Sequence, residues 1–308
     1  MVQIAFTNVL ITLLYIIPGF LLHKAKKASE DHLATLSAIL IYICAPCMIL
    51  SSFLSMEFSW KLIQNLSLYF VLSLAAQAGF MLLMYLAFKK RMHESKYRII
   101  TIGSVLGNVG FFGLPIVKVL FPESPEVMGY SCVNMVTMNI LVFTFGIYCL
   151  TGDKKYMSLK PAFYNPTMFS LIAALVIFLF GIGKFFPAPL TNGLQLIGNM
   201  TTPLCMFILG IRLSSVSFKK LFTRPFVYMT CIGKLIVFPF FTFLLTYFLP
   251  IEAPMRASLV ILSAVPCASI LLNMAEMYRS ETEASANCVL LSTLICFMTV
   301  PLYAMLLQ

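Results

Sequence analysis

The sequence predicts an all-α integral membrane protein of ten transmembrane helices in two inverted five-helix repeats, with helices 4 and 9 broken and crossing. Three observations predict this fold class. Of the 308 residues, 60% are hydrophobic and 10% are charged, and the mean hydropathy is +0.95, whereas about 25% of a soluble domain is charged. The apolar residues form runs of about 20, the length a helix needs to cross a hydrocarbon core. Matching segments also recur in the two halves of the chain.

Ten apolar runs have the required length. In lipid each run must satisfy its own backbone, so it is a helix, and LVIFLF (175–180) lacks the alternation of a barrel strand. The first run has neither a basic flank before it nor a small-residue cleavage site after it, which argues against a signal peptide. We predict the spans 3–22, 32–55, 62–88, 97–120, 127–150, 166–183, 190–211, 222–249, 254–278 and 284–307.

The basic residues predict the orientation of these spans. Of the 21 Lys and Arg residues, 16 lie in the odd-numbered loops, and the even-numbered loops hold Lys61, Lys118, Lys184 and Arg256. Because cationic short loops stay in the cytoplasm, we expect a multi-pass protein of the cell membrane with both termini outside. The net charge of +10 is then an orientation signal that faces anionic lipid, and it does not indicate nucleic-acid binding.

Catalytic and metal-binding signals are missing from the sequence. Cys44 and Cys47 have C-x-x-C spacing, but no second pair or His cluster completes a site, so we interpret the nine cysteines as packing residues. The chain has no Gly-x-Ser-x-Gly elbow, H-E-x-x-H motif, Walker loop or prenyltransferase-like acidic pair. We therefore expect neither an enzyme nor a bound cofactor.

An internal repeat divides the chain. A shift of 157 residues superimposes Pro46 on Pro203, Glu126 on Glu283 and Gln77 on Lys234. We expect residues 1–150 and 166–308 to be two copies of a five-helix unit, joined by a cytoplasmic linker at 151–165. Because five is odd, the second copy is inverted, an arrangement typical of secondary transporters with a midplane substrate site.

Two spans contain residues that interrupt a helix. The fourth includes GSVLGNVGFFGLP (103–115), for which we predict a central break at Gly107 and Pro115 in the first turn of a second half-helix. The ninth includes SAVPCAS (263–269) around Pro266. If the two breaks cross, half-helix N-termini point inward and favour an anionic group such as a carboxylate. Close helix packing is the alternative role of the glycines.

These segments resemble a known family. GNVGFFGLPIV (107–117), SAVPCAS followed by NMAEMY (273–278), and LLSTLICFMTVPLY (290–303) look like the auxin efflux carrier family in its short bacterial form. The resemblance implies a fold similar to that of bile acid sodium symporters, with a scaffold domain and a transport domain that contains the crossed helices. It also implies transport of weak organic acids such as auxin, malate or malonate. Plant members place an asparagine in both crossovers, whereas here the second crossover has Pro266.

Candidate site residues follow from the breaks and from polar groups at mid-span. The predicted set is Gly107, Asn108, Gly110, Pro115, Asn134, Thr202, Lys234, Pro266, Ser269 and Asn273. The Asn108 amide can bind a carboxylate or merely cap the second half-helix. Ser269 and Asn273, four residues apart, can line one cavity or bond neighbouring helices. At the ninth span's cytoplasmic end we interpret Glu276 and Arg279 as an interfacial pair.

Lys234 is the one ionisable residue at the centre of a predicted span, which makes it a functional hypothesis by default. Three roles are open: a counter-ion to the substrate, a proton-coupled switch, or a static link to Gln77 or to a freed carbonyl.

The expected function is secondary transport or facilitated diffusion of small organic anions by alternating access at the crossover. A sodium-coupled symporter of bile-acid-like anions and a non-transporting membrane sensor are the alternatives. The expected partners are the anion and the lipid bilayer, with proton or sodium as coupling ion and a homodimer as open options, and no nucleic acid.

Overall fold

The computed structural model describes residues 2–158, 160–215, 224–278 and 281–307, and the regular structure within these ranges is helical. We number its main helices in chain order: α1 Val2–Lys24, α2 Glu30–Leu54, α3 Trp60–Arg91, α4 Ser95–Gly103, α5 Val109–Leu120, α6 Glu126–Thr151, α7 Pro166–Leu179, α8 Ala188–Ser215, α9 Pro225–Tyr247, α10 Ala253–Ala264, α11 Ser269–Met277 and α12 Thr282–Leu306. Short helical turns lie at Lys154–Tyr156, Lys160–Phe163 and Ile182–Phe185.

Side-chain caps fix where some helices begin. At the start of α3 the Ser59 hydroxyl accepts a hydrogen bond from the Leu62 amide at 3.1 Å. At the start of α7 the Asn165 carbonyl oxygen accepts from the Met168 amide at 3.0 Å, and Pro166 is the first helical residue. Both caps satisfy amides that have no partner within the first turn of a helix.

The length and composition of the helices are those of a membrane protein. Within the described residues, seven helices are long and apolar enough to cross a membrane: α1, α2, α3, α6, α8, α9 and α12. Shorter apolar helices are α5, α7 and α10. Large apolar side chains face outward, and Phe185 and Phe248 are 84% and 86% exposed. A surface of this kind is typical of a protein surrounded by lipid.

Three prolines within the spans follow wide helical turns. Three π-helical segments each end two residues before a proline: Leu40–Cys44 before Pro46, Val109–Gly113 before Pro115, and Gly233–Val237 before Pro239. A π turn leaves room for a ring that would clash in a regular helix. Pro115 lies in the first turn of the α-helical segment Leu114–Leu120, as predicted, but the π-helical segment Val109–Gly113 precedes it within α5.

The helices pack in two groups. The first helix group contains α1, α2, α7 and α8: the second half of α1 lies along α8, while the end of α2 contacts α7 and the start of α8. The α1–α8 contact is close enough that a Cβ on Gly19 would overlap the Phe207 carbonyl oxygen. The second helix group contains α3 to α6 and α9 to α12, in which α6 packs on α3, and α10 packs on α9 and α12. The first half of α1 also contacts α12.

The structure places interruptions where the sequence predicted them. α4 and α5 occupy the predicted fourth span, α10 and α11 occupy the ninth, and residues 104–108 and 265–268 separate the two halves of each. The predicted sixth span, 166–183, is shorter in the structure, since α7 ends at Leu179. In the linker, the Lys155 amide donates to the Asp153 carboxylate at 2.9 Å, and this bond lowers the pKa of that carboxyl.

Candidate functional site

The two helix breaks meet in the interior of the protein. Gly107 and Cys267 form an antiparallel backbone bridge. The backbone amide of Asn108 donates to the Pro266 carbonyl at 2.8 Å, and the backbone amide of Ala268 donates to the Leu106 carbonyl at 3.0 Å. The segments 104–108 and 265–268 thus satisfy part of each other's backbone, and we call this pair of segments the crossover.

Each break leaves a carbonyl without its helical partner, because an amide that would close the next turn bonds elsewhere. The Val109 amide donates to the Gly107 carbonyl rather than to the Val105 carbonyl. The Cys267 amide donates to the Ser292 hydroxyl of α12 at 2.9 Å rather than to the Ser263 carbonyl. These two freed carbonyls lie at the C-terminal ends of α4 and α10, where the helix dipole is negative.

The Lys234 side chain reaches both freed carbonyls. Its Nζ lies 3.2 Å from the Val105 oxygen and 2.7 Å from the Ser263 oxygen, and the Phe238 ring centroid is 4.7 Å away. Lys234 has no exposed surface, and no carboxylate of the described residues pairs with it. Of the three roles predicted for this residue, the geometry matches the link to freed carbonyls, and Gln77 is not its partner.

Gly107 of the crossover and Gly110 beside it are sites of close approach. A Cβ on Gly107 would lie 2.9 Å from both the Lys234 Nζ and a Val265 methyl, and a Cβ on Gly110 would overlap the Met135 sulfur. The backbone of neither glycine has a positive φ. Space, and not backbone conformation, therefore requires glycine here.

Thr202 compensates for the amide hydrogen that Pro115 lacks. In a regular helix a residue at position 115 would donate to the Phe111 carbonyl, but proline has no amide proton. The Thr202 hydroxyl of α8 donates to this carbonyl instead, with an Oγ1–O distance of 2.9 Å. The bond joins the first helix group to the second.

Asn108 and Ser269 lie beside the same thiol. The Asn108 amide nitrogen is 3.9 Å from the Cys205 sulfur, a weak hydrogen bond, and Asn108 does not cap α5 with its side chain. The Ser269 hydroxyl is also next to Cys205 and makes no strong hydrogen bond within the described residues. Both buried groups keep hydrogen-bonding capacity for a ligand.

Asn134 belongs to a separate buried cluster between α3 and α6. The Gln77 amide nitrogen lies 3.1 Å from the Asn134 carbonyl oxygen and 2.8 Å from the Thr137 hydroxyl, which is 2.8 Å from the Ser73 hydroxyl. Asn134 in turn donates to the Tyr69 hydroxyl at 3.4 Å. These side chains bond one another, and none of these bonds joins Asn134 to the crossover.

A first cleft of about 620 Å³ lies on one side of the crossover. Its walls come from both helix groups, and its lining residues are Asn8, Ile11, Thr12, Tyr15, Met48, Ser51, Ser52, Leu54, Ser55, Leu114, Pro115, Lys118, Met128, Thr191, Gln195, Gly198, Asn199, Thr202 and Pro203. The described lining residues contain amides, hydroxyls and one lysine but no carboxylate.

A second cleft of about 440 Å³ lies at the opposite end of α2. It is lined by Glu30, Leu33, Ala34, Ser37, Ala38, Ile41, Tyr42, Arg212, Asn273 and Glu276. Arg212 of α8 pairs with Glu276 of α11, with Nη1 and Oε1 2.6 Å apart. The partner predicted for Glu276, Arg279, lies outside the described ranges.

The structure brings part of the predicted set together. Gly107, Asn108, Lys234 and Pro266 meet at the crossover, Gly110 and Ser269 lie next to it, and Pro115 and Thr202 line the first cleft. Asn273 lines the second cleft, and Ser269 lines neither of these two clefts, so the cavity predicted for the two residues stays a prediction.

Sequence reasoning missed several lining residues. Asn8, Gln195 and Asn199 of the first cleft were not singled out, and Lys118 was counted only as a stray cation. The sequence position of Lys118 could have predicted that it lines the same cleft as Pro115, since it lies one turn beyond Pro115 on the same helix. Among the described residues, no group of three or more His, Cys, Asp or Glu side chains could hold a metal ion.

The fold and the site together define a class of protein. A helical membrane protein whose two interrupted helices meet in its interior has the architecture of a transport protein. The model of the membrane transport protein family matches residues 4–304, and the chain belongs to this family, that of the auxin efflux carriers. An uncharacterized transporter of Methanocaldococcus jannaschii is 25% identical over 305 residues, which cover 97% of this chain and 97% of the relative. The family predicted from the crossover segments is confirmed, and the chain is a transporter and not an enzyme.

Proposed function

We propose that the protein is a secondary transporter or facilitator of small organic anions, such as mono- or dicarboxylates, that works by alternating access in the cell membrane. The observation that carries this proposal is the lining of the first cleft. Its volume of about 620 Å³ is in the range of small-molecule sites. Lys118, three amide side chains and several hydroxyls offer hydrogen-bond donors, and no described lining carboxylate repels an anion.

The positions of the two clefts support alternating access. The first cleft contacts the end of α2 at Leu54, and the second contacts its start at Glu30. The 25 residues of α2 are about 37 Å long. Between Thr202 in the first cleft and Arg212 in the second, α8 rises about 15 Å, and Cys205 beside Asn108 lies on this path. Both clefts also follow the boundary between the two helix groups, so relative movement of the groups would open one and close the other.

We also propose that the chain is built from ten spans in two inverted repeats, α1 to α6 and α7 to α12. The contacts within the first helix group support this. The second half of α1 packs on Thr201–Ser215, and α7 packs on Ala45–Leu54. A shift of 157 residues exchanges these two contacts, as a twofold relation between repeats requires. The charge asymmetry of the loops then supports termini outside the cell and a cytoplasmic second cleft.

The experiment is uptake of radiolabelled malate and malonate by proteoliposomes that contain the purified protein. We expect saturable uptake by the wild type and at least a fivefold rise of KM in Lys118→Gln, because the charge that attracts the carboxylate is removed. Lys118→Arg should keep most of the affinity. Lys184→Gln is the matched control, since Lys184 lies in the Ile182–Phe185 turn and does not line the cleft.

Three results separate the alternatives. Uptake that requires sodium would support a sodium-coupled symporter. No uptake and no thermal stabilisation by any tested carboxylate would overturn the proposal and favour a sensor. Equal effects of Lys118→Gln and Lys184→Gln would remove the first cleft from the transport path.

A further inference from the structure

Lys234 occupies a position that is chemically a cation site. The C-terminal ends of α4 and α10 point their freed carbonyls at one point, and the Lys234 Nζ lies there, 3.2 Å from the Val105 oxygen and 2.7 Å from the Ser263 oxygen. Carbonyls of unwound helices and half-helix C-termini are the groups that bind monovalent cations in transporters with broken helices. Here a covalently attached amine takes that place.

The surroundings of Nζ fit an ammonium group. Nζ donates to two carbonyl oxygens and lies over the face of Phe238, which also attracts a cation. The absence of a Cβ at Gly107 makes space for the ammonium itself, since a Cβ there would lie 2.9 Å from it. The side chain has no exposed surface.

The same geometry argues against direct contact with a transported anion. The residues that keep hydrogen-bonding capacity, Asn108 and Ser269, face Cys205 of α8, whereas Lys234 is held by the backbone of α4 and α10. Lys234 belongs to α9, so its two bonds join three helices of the second helix group. Its role is therefore to position the crossover.

We propose that the Lys234 ammonium is a tethered cation that neutralises the carbonyl ends of both broken helices, so that the crossover binds no sodium or potassium ion. This inference rests on the proposed transport function, because it predicts that anion transport is independent of sodium and potassium. Its structural part stands on the geometry alone. Removal of the ammonium should leave a carbonyl-lined cavity that takes up a free small cation.

The test measures thermal unfolding of purified protein, without any organic anion, in sodium, potassium, methylammonium or choline chloride at equal ionic strength. Lys234→Ala empties the position, and Lys234→Met fills it with an uncharged chain of similar length. Lys184→Ala is the control for loss of a lysine outside the crossover. We expect the wild type and Lys184→Ala to have the same Tm in all four salts.

We expect Lys234→Ala to lose several degrees in choline chloride and to regain at least half of the loss in methylammonium or sodium chloride. Lys234→Met should lose a similar amount and should respond to no salt, because its side chain blocks the cavity. A role of Lys234 in packing alone would not produce the difference between methylammonium and choline.

Two outcomes would overturn the inference. One is a wild-type Tm that rises in sodium but not in choline, since the crossover would then bind a free ion beside the lysine. The other is a Lys234→Met protein as stable as the wild type but with a raised KM for the anion, which would make Lys234 a counter-ion. If Lys234→Ala does not fold, the Tm of the wild type in the four salts and the stability of Lys234→Met still test the inference. Because these unfolding measurements contain no anion, their failure is distinct from a failure of carboxylate uptake.

Discussion

Substitution of Gly107 by alanine tests whether the crossover is held as closely as the structure indicates. The new Cβ would lie 2.9 Å from the Lys234 Nζ, 2.9 Å from a Val265 methyl and 3.3 Å from the Leu262 carbonyl oxygen. Contacts this short force atoms on both broken helices to move. Because the φ angle of Gly107 is not positive, the cost is steric and not conformational.

The expected change in the free energy of unfolding for Gly107→Ala follows from opposing effects. Overpacking of a filled interior costs about 1–3 kcal/mol, and displacement of Lys234 weakens hydrogen bonds to a charged group worth about 1.5–3 kcal/mol each. Replacement of glycine by alanine stabilises by about 0.4–1 kcal/mol through the unfolded state where the site tolerates it. We expect a net destabilisation of about 1–3 kcal/mol, seen as a Tm lowered by several degrees in thermal unfolding of the purified protein.

Gly193 provides the matched control. It also lies within a helix, α8, and a Cβ there would meet no atom within 4 Å. Gly193→Ala should therefore leave the Tm unchanged or raise it slightly, since alanine favours helix. A Gly107→Ala protein as stable as Gly193→Ala would refute the close approach of Lys234 and Val265 to Gly107.

Three further predictions concern contacts around the clefts and the buried cluster. Thr202→Val should lower the free energy of unfolding by about 1 kcal/mol, because the partly buried Phe111 carbonyl loses its hydroxyl donor, and a thermal double-mutant cycle should show recovery when Pro115→Ala restores the amide donor. Glu276→Gln should change the Tm little but speed amide hydrogen exchange in α11, and the double substitution Arg212→Glu with Glu276→Arg should slow the exchange again. Unchanged exchange would show that the ion pair does not hold α11. Gln77→Leu should lower the free energy of unfolding by about 1–2 kcal/mol, seen as a lower Tm, while the KM for the anion stays the same. An altered KM would place the cluster in the transport path.

Local composition was enough to locate the helix breaks. Glycine, asparagine and proline are all unfavourable in a helix interior, so their concentration at 103–115 indicates an interruption. This indication does not depend on the rest of the fold. The burial of Lys234 was predictable in the same way, since a charge in mid-span must face the protein interior. Both inferences need only the properties of the segment itself.

The partners of these residues could not be predicted, because they come from distant parts of the chain. Nothing near Glu276 in sequence indicates that Arg212, 64 residues away, forms its ion pair. The hydroxyl that replaces the missing amide of Pro115 comes from Thr202, 91 residues from the carbonyl it bonds. The first cleft likewise combines several helices, so the sequence could not identify Asn8 as a lining residue.

The strengths of the polar contacts differ between the interior of the second helix group and its boundary with the first. Lys234 makes charge-assisted bonds that stay inside the second group, each worth about 1.5–3 kcal/mol. The Thr202–Phe111 bond, the weak Asn108–Cys205 contact and the Arg212–Glu276 pair cross the boundary. A neutral hydrogen bond is worth about 0.5–1.5 kcal/mol, and a partly exposed ion pair about 1 kcal/mol or less. Reversing a two-state population from 1:99 to 99:1 takes about 5.5 kcal/mol. The crossing polar contacts together are weaker than that. A transported anion that binds one state better can therefore move the boundary without breaking the crossover.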